Sequence, residues 1–237
     1  MKITGIRLAI VLGLAALALS PCRASTELIS NGDFESGDFS HWTLANQGAG
    51  GFTIEAPEAG QTQDGYETAV NPDGGANYAV TEHPGSSGTH VLLQTFTISE
   101  ANLSVILTFQ MFANVWSYST AVHGTTTGSL YARVDILSGD ATAFDLGTGV
   151  LSNLYLGADP ESPNAYLPYT FDISSTVTAP GTYQLRFAEI DDNIGAISQG
   201  VDNVSIQVAP VPEPASLFLL GIGGAGLIWK GRKRFCR

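Results

Sequence analysis

The chain has 237 residues, of which 14% are charged, against about 25% in an ordinary soluble domain, and its formal net charge is -12. Eight of the ten basic residues lie near the two ends (Lys2, Arg7, Arg23, Lys230, Arg232, Lys233, Arg234 and Arg237), so only Arg133 and Arg186 remain between Ser25 and Pro210. So acidic a middle segment repels nucleic acid and anionic headgroups, which excludes nucleic-acid binding, and it is compatible with divalent cations and neutral glycans.

In chain order, Lys2 and Arg7 form a positive start, Leu8 to Leu19 is an apolar run, and Cys22-Arg23-Ala24 ends in a small residue. This pattern predicts a secretory signal peptide over residues 1–24, cleaved after Ala24. A lipoprotein at Cys22 is disfavoured by Pro21 directly before it. The second cysteine, Cys236, is in the basic tail, so the segment between offers no disulfide framework and no Cys metal site.

The middle segment opens with Leu28-Ile29-Ser30-Asn31-Gly32-Asp33-Phe34-Glu35-Ser36-Gly37, followed by Trp42, which is assigned to the core. A strand is predicted around Phe52–Glu55. The stretch Ala56–Asn77 is rich in Gly, Pro and acid and reads as a long loop, with a short strand near Tyr78–Val80. Strands follow at Val91–Ile98 and at Leu103–Met111, where Leu103, Val105, Leu107, Phe109 and Met111 alternate with mainly polar residues. The same period of two places strands at Leu130–Ile136, Tyr183–Phe187 and Val204–Val208, and another lies at Tyr169–Ile173. Turn clusters such as Pro84-Gly85-Ser86-Ser87-Gly88, Ser138-Gly139-Asp140 and Ala179-Pro180-Gly181 separate them. With no useful amphipathic helix and no repeat, the fold class is all-β: an antiparallel two-sheet sandwich of the jelly-roll kind over residues 26–208.

Aromatic side chains offer a glycan platform: Trp116 and Tyr118 after a strand, and Tyr131, which faces away from the apolar set of its strand. Tyr66, Tyr78, Tyr155 and Tyr166 lie in loops or at strand edges. Packing is the competing role for such rings. His41, His83, His90 and His123 are scattered, and no Gly-x-Ser-x-Gly or Walker-type loop occurs. The expectation is therefore a non-enzyme. The acidic pair Asp191-Asp192 leaves a glycan-cleaving enzyme as a remote alternative.

The segment closes with Gly200-Val201-Asp202-Asn203-Val204-Ser205-Ile206. Opening and closing elements together resemble galactose-binding-like jelly rolls, the fold of many carbohydrate-binding modules. The resemblance implies that the two elements meet and enclose a structural Ca²⁺, with carboxylates from Glu35 and Asp202 and a side chain or carbonyl of Asp33. Asp191, Asp192 and Asn193 are further oxygen donors, and Ca²⁺ takes such hard ligands. Alternatively, Glu35 and Asp202 bond only backbone amides at strand ends.

The end of the chain, residues 211–237, has three parts. Pro212-Glu213-Pro214 precedes the apolar run 215–229, and the basic tail 230–237 follows. The run falls somewhat short of the ~20 residues of a full span, and the basic cluster is expected to stay cytoplasmic. This order resembles the PEP-CTERM sorting signal, also catalogued as an ice-binding protein C-terminal domain. The resemblance implies a Gram-negative bacterium that makes exopolysaccharide, transient anchoring in the inner membrane, and processing by an exosortase near Pro212, Glu213 and Pro214. Surface display or release follows. The reading is of an exported surface or biofilm-matrix protein with a glycan-binding, adhesive sandwich; the alternative is a structural matrix protein that binds no sugar.

Overall fold

A computed structural model describes residues 25–56, 75–82, 87–101, 103–115, 122–125, 128–157, 166–191 and 197–211. Among these are β1 (Thr26–Glu27), β2 (Thr43–Gly48), β3 (Gly51–Glu55), β4 (Tyr78–Glu82), β5 (Gly88–Ile98) and β6 (Leu103–Val115). They are followed by β7 (Val122–Thr125), β8 (Gly128–Ser138), β9 (Val150–Gly157), β10 (Leu167–Asp172), β11 (Gly181–Asp191) and β12 (Ile197–Pro210). The described residues contain no helix. The signal-peptide segment, most of the predicted loop and the apolar C-terminal run lie outside them.

The strands form two antiparallel sheets. The first has the order β10-β6-β12-β4-β3, with β1 added to β12; the second has β2-β5-β11-β8-β7, with β9 added to β8. β5 and β6, β10 and β11, and β11 and β12 fall in opposite sheets, as in a jelly-roll sandwich, while β3–β4, β7–β8 and β8–β9 pair directly. The alternation read from the sequence sets which side chains point inward. Val105, Leu107, Phe109 and Met111 of β6 and Val201, Ile206 and Val208 of β12 meet Val134, Ile136, Leu185 and Phe187 across the interior. Phe109 and Phe187 lie edge to face across the two sheets, their ring centroids 5.1 Å apart.

Two features of the second sheet depart from an apolar-inside, polar-outside pattern. Its outer face is covered: Val91, Leu93, Tyr131, Leu137, Ala188 and Ile190 form a second apolar cluster under Ala141, Ala143 and Phe144. On the same face Asp135 sits fully buried between Arg133 and Arg186. Both basic residues of the middle segment are thus engaged by one carboxylate.

The second departure is inside. Glu189 follows Leu185 and Phe187 at period two and so faces the interior, where it is fully buried. It lies in register with His90 on β5 and Ala132 on β8, and His90 Nδ1 is 3.1 Å from Asn46 Oδ1. Burial first, and the charge of Asp191 second, hold the Glu189 carboxyl well above its ordinary range. A carboxyl raised in the folded state stabilises below its unfolded value and loses that contribution as pH rises. Glu189→Gln is therefore expected to raise the unfolding midpoint at about pH 8 and to leave it unchanged near pH 4. Thermal unfolding at the two values checks this, and an equal shift at both would refute it.

Candidate functional site

The opening and closing elements meet, through a bulge. The pairing of β12 with β6 shifts register between Asp202 and Ser205, with Asn203 at φ 50°. The bulge frees the Val204 N–H to donate to Gly32 O at 2.8 Å. A Cβ on Gly32 would lie 1.9 Å from Val204 O, so only glycine allows this approach. Next to it Phe34 is fully buried and packs on Trp42, 5.5 Å between centroids. The Trp42 indole donates to Asn31 O at 2.8 Å. The motif is a lock between the start and the end of the sandwich, and Trp42 is a core residue.

This lock carries three acidic residues, Asp33, Glu35 and Asp202. Glu35 Oε1 accepts from the N–H groups of Ala76 and Asn77 at 2.7 and 2.8 Å. Asp33 Oδ1 accepts from Glu35 N–H at 3.4 Å. Asp202 is 2% exposed; its Oδ1 accepts from Asn203 N–H at 2.7 Å and its Oδ2 from Asn203 Nδ2 at 3.2 Å. Burial pushes the Asp202 carboxyl up to about 7, and the charges of Glu35 and Asp33 push the same way against the Asn203 amide.

Aromatic residues flank Asp202. Val201 points inward, so Asp202 lies on the outer face of the first sheet with Tyr78, Val80 and Phe112, which Tyr166 joins from the chain before β10. The ring of Tyr166 stands edge-on to Phe112 at 5.0 Å and to Tyr78 at 5.8 Å. Gly200 makes room, since a Cβ there would meet Phe112 Cε1 at 1.9 Å. The Tyr166 hydroxyl is buried and finds no hydrogen-bond partner among the described residues. Burial, Tyr78 and Asp202 hold it well above its ordinary value.

As donors, these carboxylates suit a hard divalent cation, and a buried carboxyl raised by like charges gains most from one. Among the described residues, however, no three His, Cys, Asp or Glu side chains are grouped to hold a metal ion. Both oxygens of Asp202 accept from Asn203, one bond each, so each keeps one further acceptor site.

Trp116, Tyr118, Tyr66, Asp192 and Asn193 lie outside the described residues, as do Pro212, Glu213 and Pro214. Tyr131 does face away from the interior, but it is 8% exposed within the cluster under Ala141, Ala143 and Phe144, so its ring is covered. Asp191 is 2% exposed at the end of β11. Tyr166 belongs to the Asp202 neighbourhood although it is distant in sequence. Only its aromatic character marked it beforehand.

A family model described as the PEP-CTERM protein-sorting motif matches residues 210–234. The motif marks the chain as an exported protein, sorted and processed by an exosortase. Among the described residues no helix is long and apolar enough to cross a membrane. Comparison with curated proteins gives no match. Among solved structures, a Stig cyclase from Fischerella sp. TAU is 15% identical with a TM-score of 0.51, over 80% of this chain and 100% of that one. TmCBM61, solved with β-1,4-galactotriose, is 10% identical with a TM-score of 0.48, over 77% of this chain and 98% of that one. The enzymatically active domain of tailspike protein 4 of bacteriophage CBA120 is 15% identical with a TM-score of 0.48, over 77% of this chain. The chain spans 21% of that protein. The likeness to the cyclase speaks for the sandwich fold.

Proposed function

We propose that the sorted sandwich is a non-enzymatic adhesive module that binds a neutral glycan of the envelope or of secreted exopolysaccharide. We further propose that it takes one structural Ca²⁺ at Asp202, Glu35 and Asp33. The observation that supports this reading is the outer face of the first sheet. There the half-buried ring of Tyr166 stands with Tyr78 and Phe112 beside the lock that carries Asp202. Such a surface offers ring stacking to the apolar face of a neutral sugar. Trp116 and Tyr118, just beyond β6, are the other rings assigned to the ligand. In this reading the calcium ion closes the lock between the opening and closing elements and touches no sugar.

The test is retention of the purified protein on immobilised polysaccharides, charged and neutral, with a parallel assay for new reducing ends. Neutral-glycan retention that falls at least about tenfold, or 1.4 kcal/mol, in Tyr166→Ala or Trp116→Ala, without reducing-end release, supports the module. No wild-type retention on any polysaccharide favours a structural matrix protein, and retention unchanged in both variants removes these rings from the binding site. Release of reducing ends that a carboxylate substitution abolishes would establish the glycan-cleaving enzyme instead.

A further inference from the structure

The sorting motif follows the folded domain with no spacer. β12 stays paired through Pro210, which lies opposite Leu103, and Val208 is paired with Thr26 of β1. The motif match begins at residue 210. Pro212 is two residues beyond the last pair, at most about 7 Å of extended chain, and Ala215, where the apolar run starts, is within about 18 Å. An enzyme that takes Pro212-Glu213-Pro214 as an extended peptide at the membrane surface therefore has the end of the sandwich against it.

That end is shaped. A cleft of about 280 Å³ opens between β1, the β5–β6 connection and the last residues of β12. Ile98 and Val208 form a buried floor, and Thr26, Thr97, Ser99 and Glu100 form an exposed rim. Pro210 is itself part of the lining, so the chain leaves for the sorting motif from the wall of the cleft. Among the described residues the rim is formed by hydroxyls and the Glu100 carboxylate, and includes no Lys or Arg. It does not attract anionic headgroups, and it fits a protein partner that presents hydrogen-bond donors and an apolar side chain.

We propose that this cleft is the docking surface of the membrane-bound processing enzyme, which grips the end of the sandwich while it takes the Pro-Glu-Pro segment. Recognition then has two parts, the motif and the folded end that delivers it, and the two act at the high effective concentration set by a two-residue connection. The inference rests on the exosortase reading of the tail and adds a site on the domain to it.

The experiment follows processing of the full chain by pulse-chase and intact mass, in a host strain with exosortase and in the same strain without it. Thr97→Arg and Ser99→Trp fill the cleft from exposed rim positions. They are expected to slow processing at least about tenfold, with signal-peptide removal and the unfolding midpoint unchanged. A flexible Gly-Ser spacer of about twelve residues between Val211 and Pro212 is expected to slow it as well, because cleft and motif are then uncoupled. Wild-type rates in both cleft variants, or faster processing with the spacer, overturn docking and leave the tail reading intact. If the wild-type chain is unprocessed in the exosortase strain, the tail reading fails and docking fails with it.

Discussion

Replacing Asp135 with alanine is expected to lower the stability of the domain by about 3–5 kcal/mol, the usual result of removing one partner from a buried ion pair. Asp135 is fully buried, and both of its oxygens are in use. Oδ1 accepts from Arg133 Nη2 at 2.6 Å and from Asn153 Nδ2 at 2.8 Å. Oδ2 accepts from Arg133 Nε at 2.6 Å and from Arg186 Nη2 and Nε at 2.6 and 2.9 Å. Without it, two guanidinium groups are left in a poorly solvated layer without the carboxylate that pairs them both. Arg186 also donates to the carbonyls of Ala143 and Asp145 at 2.8 and 2.7 Å. The segment that covers Tyr131 is therefore tied to the same centre.

For a domain of this size the loss corresponds to roughly 6–20 °C in the unfolding midpoint, against a total stability of about 5–15 kcal/mol. Urea unfolding of wild type and Asp135→Ala measures it, and a loss under about 1 kcal/mol would mean that the cluster behaves like a surface pair. The triple replacement Arg133→Met, Asp135→Leu, Arg186→Met is expected to come close to wild type, because no charge is then left unpaired. Faster amide exchange in Ala143–Asp145 of Asp135→Ala would tie the covering segment to the cluster.

Most of the sandwich was legible in the sequence because alternation survives wherever a strand has one face on the core. The inward set of β6 is Val105, Leu107, Phe109 and Met111, as the period of two requires. β9 was missed for a physical reason: register shifts against β8 break its alternation, so Leu154 and Tyr155 both pack toward the core. β2 is an edge strand with mostly exposed residues, and it lacks the apolar signal that marks a buried face. Period also correctly pointed Tyr131 outward. It could not say that Ala141, Ala143 and Phe144 return over that face, since coverage is a tertiary fact. The meeting of the Asn31-Gly32 and Asp202-Asn203 elements was legible as a motif, while its cause, the contact of Gly32 with Val204, appears only in three dimensions. Glu189 lay beyond the apolar alternation that ended at Phe187, because nothing in a local pattern marks an acid for the interior.

Calcium is expected to stabilise the domain more at about pH 8 than at about pH 6, and the difference should vanish in Asp202→Asn. Asp202 is raised from 3.8 to about 7 in the folded state. A carboxyl shifted upward contributes stability that is complete below its unfolded value and is lost as pH rises through its folded value. Without metal, that stability is lost progressively between about pH 4 and about pH 7. A cation at Asp202 needs the carboxylate, so it competes with the proton and gains affinity over the same interval. Binding to the folded state alone must raise the midpoint by mass action, which should offset most of the alkaline loss. In Asp202→Asn the acidic side loses little, the alkaline side gains, and the response to Ca²⁺ against EDTA disappears. Glu35→Ala should keep part of the pH dependence, since burial of Asp202 remains its first cause, but should lose the metal response. Thermal unfolding of the four combinations, pH 6 and 8 with Ca²⁺ or EDTA, decides the matter. A midpoint that ignores Ca²⁺ at both pH values would remove the metal, and a fall between them that is smaller in Asp202→Asn would leave Asp202 as a buried acid that favours the lock while protonated, beside the separate contribution of Glu189.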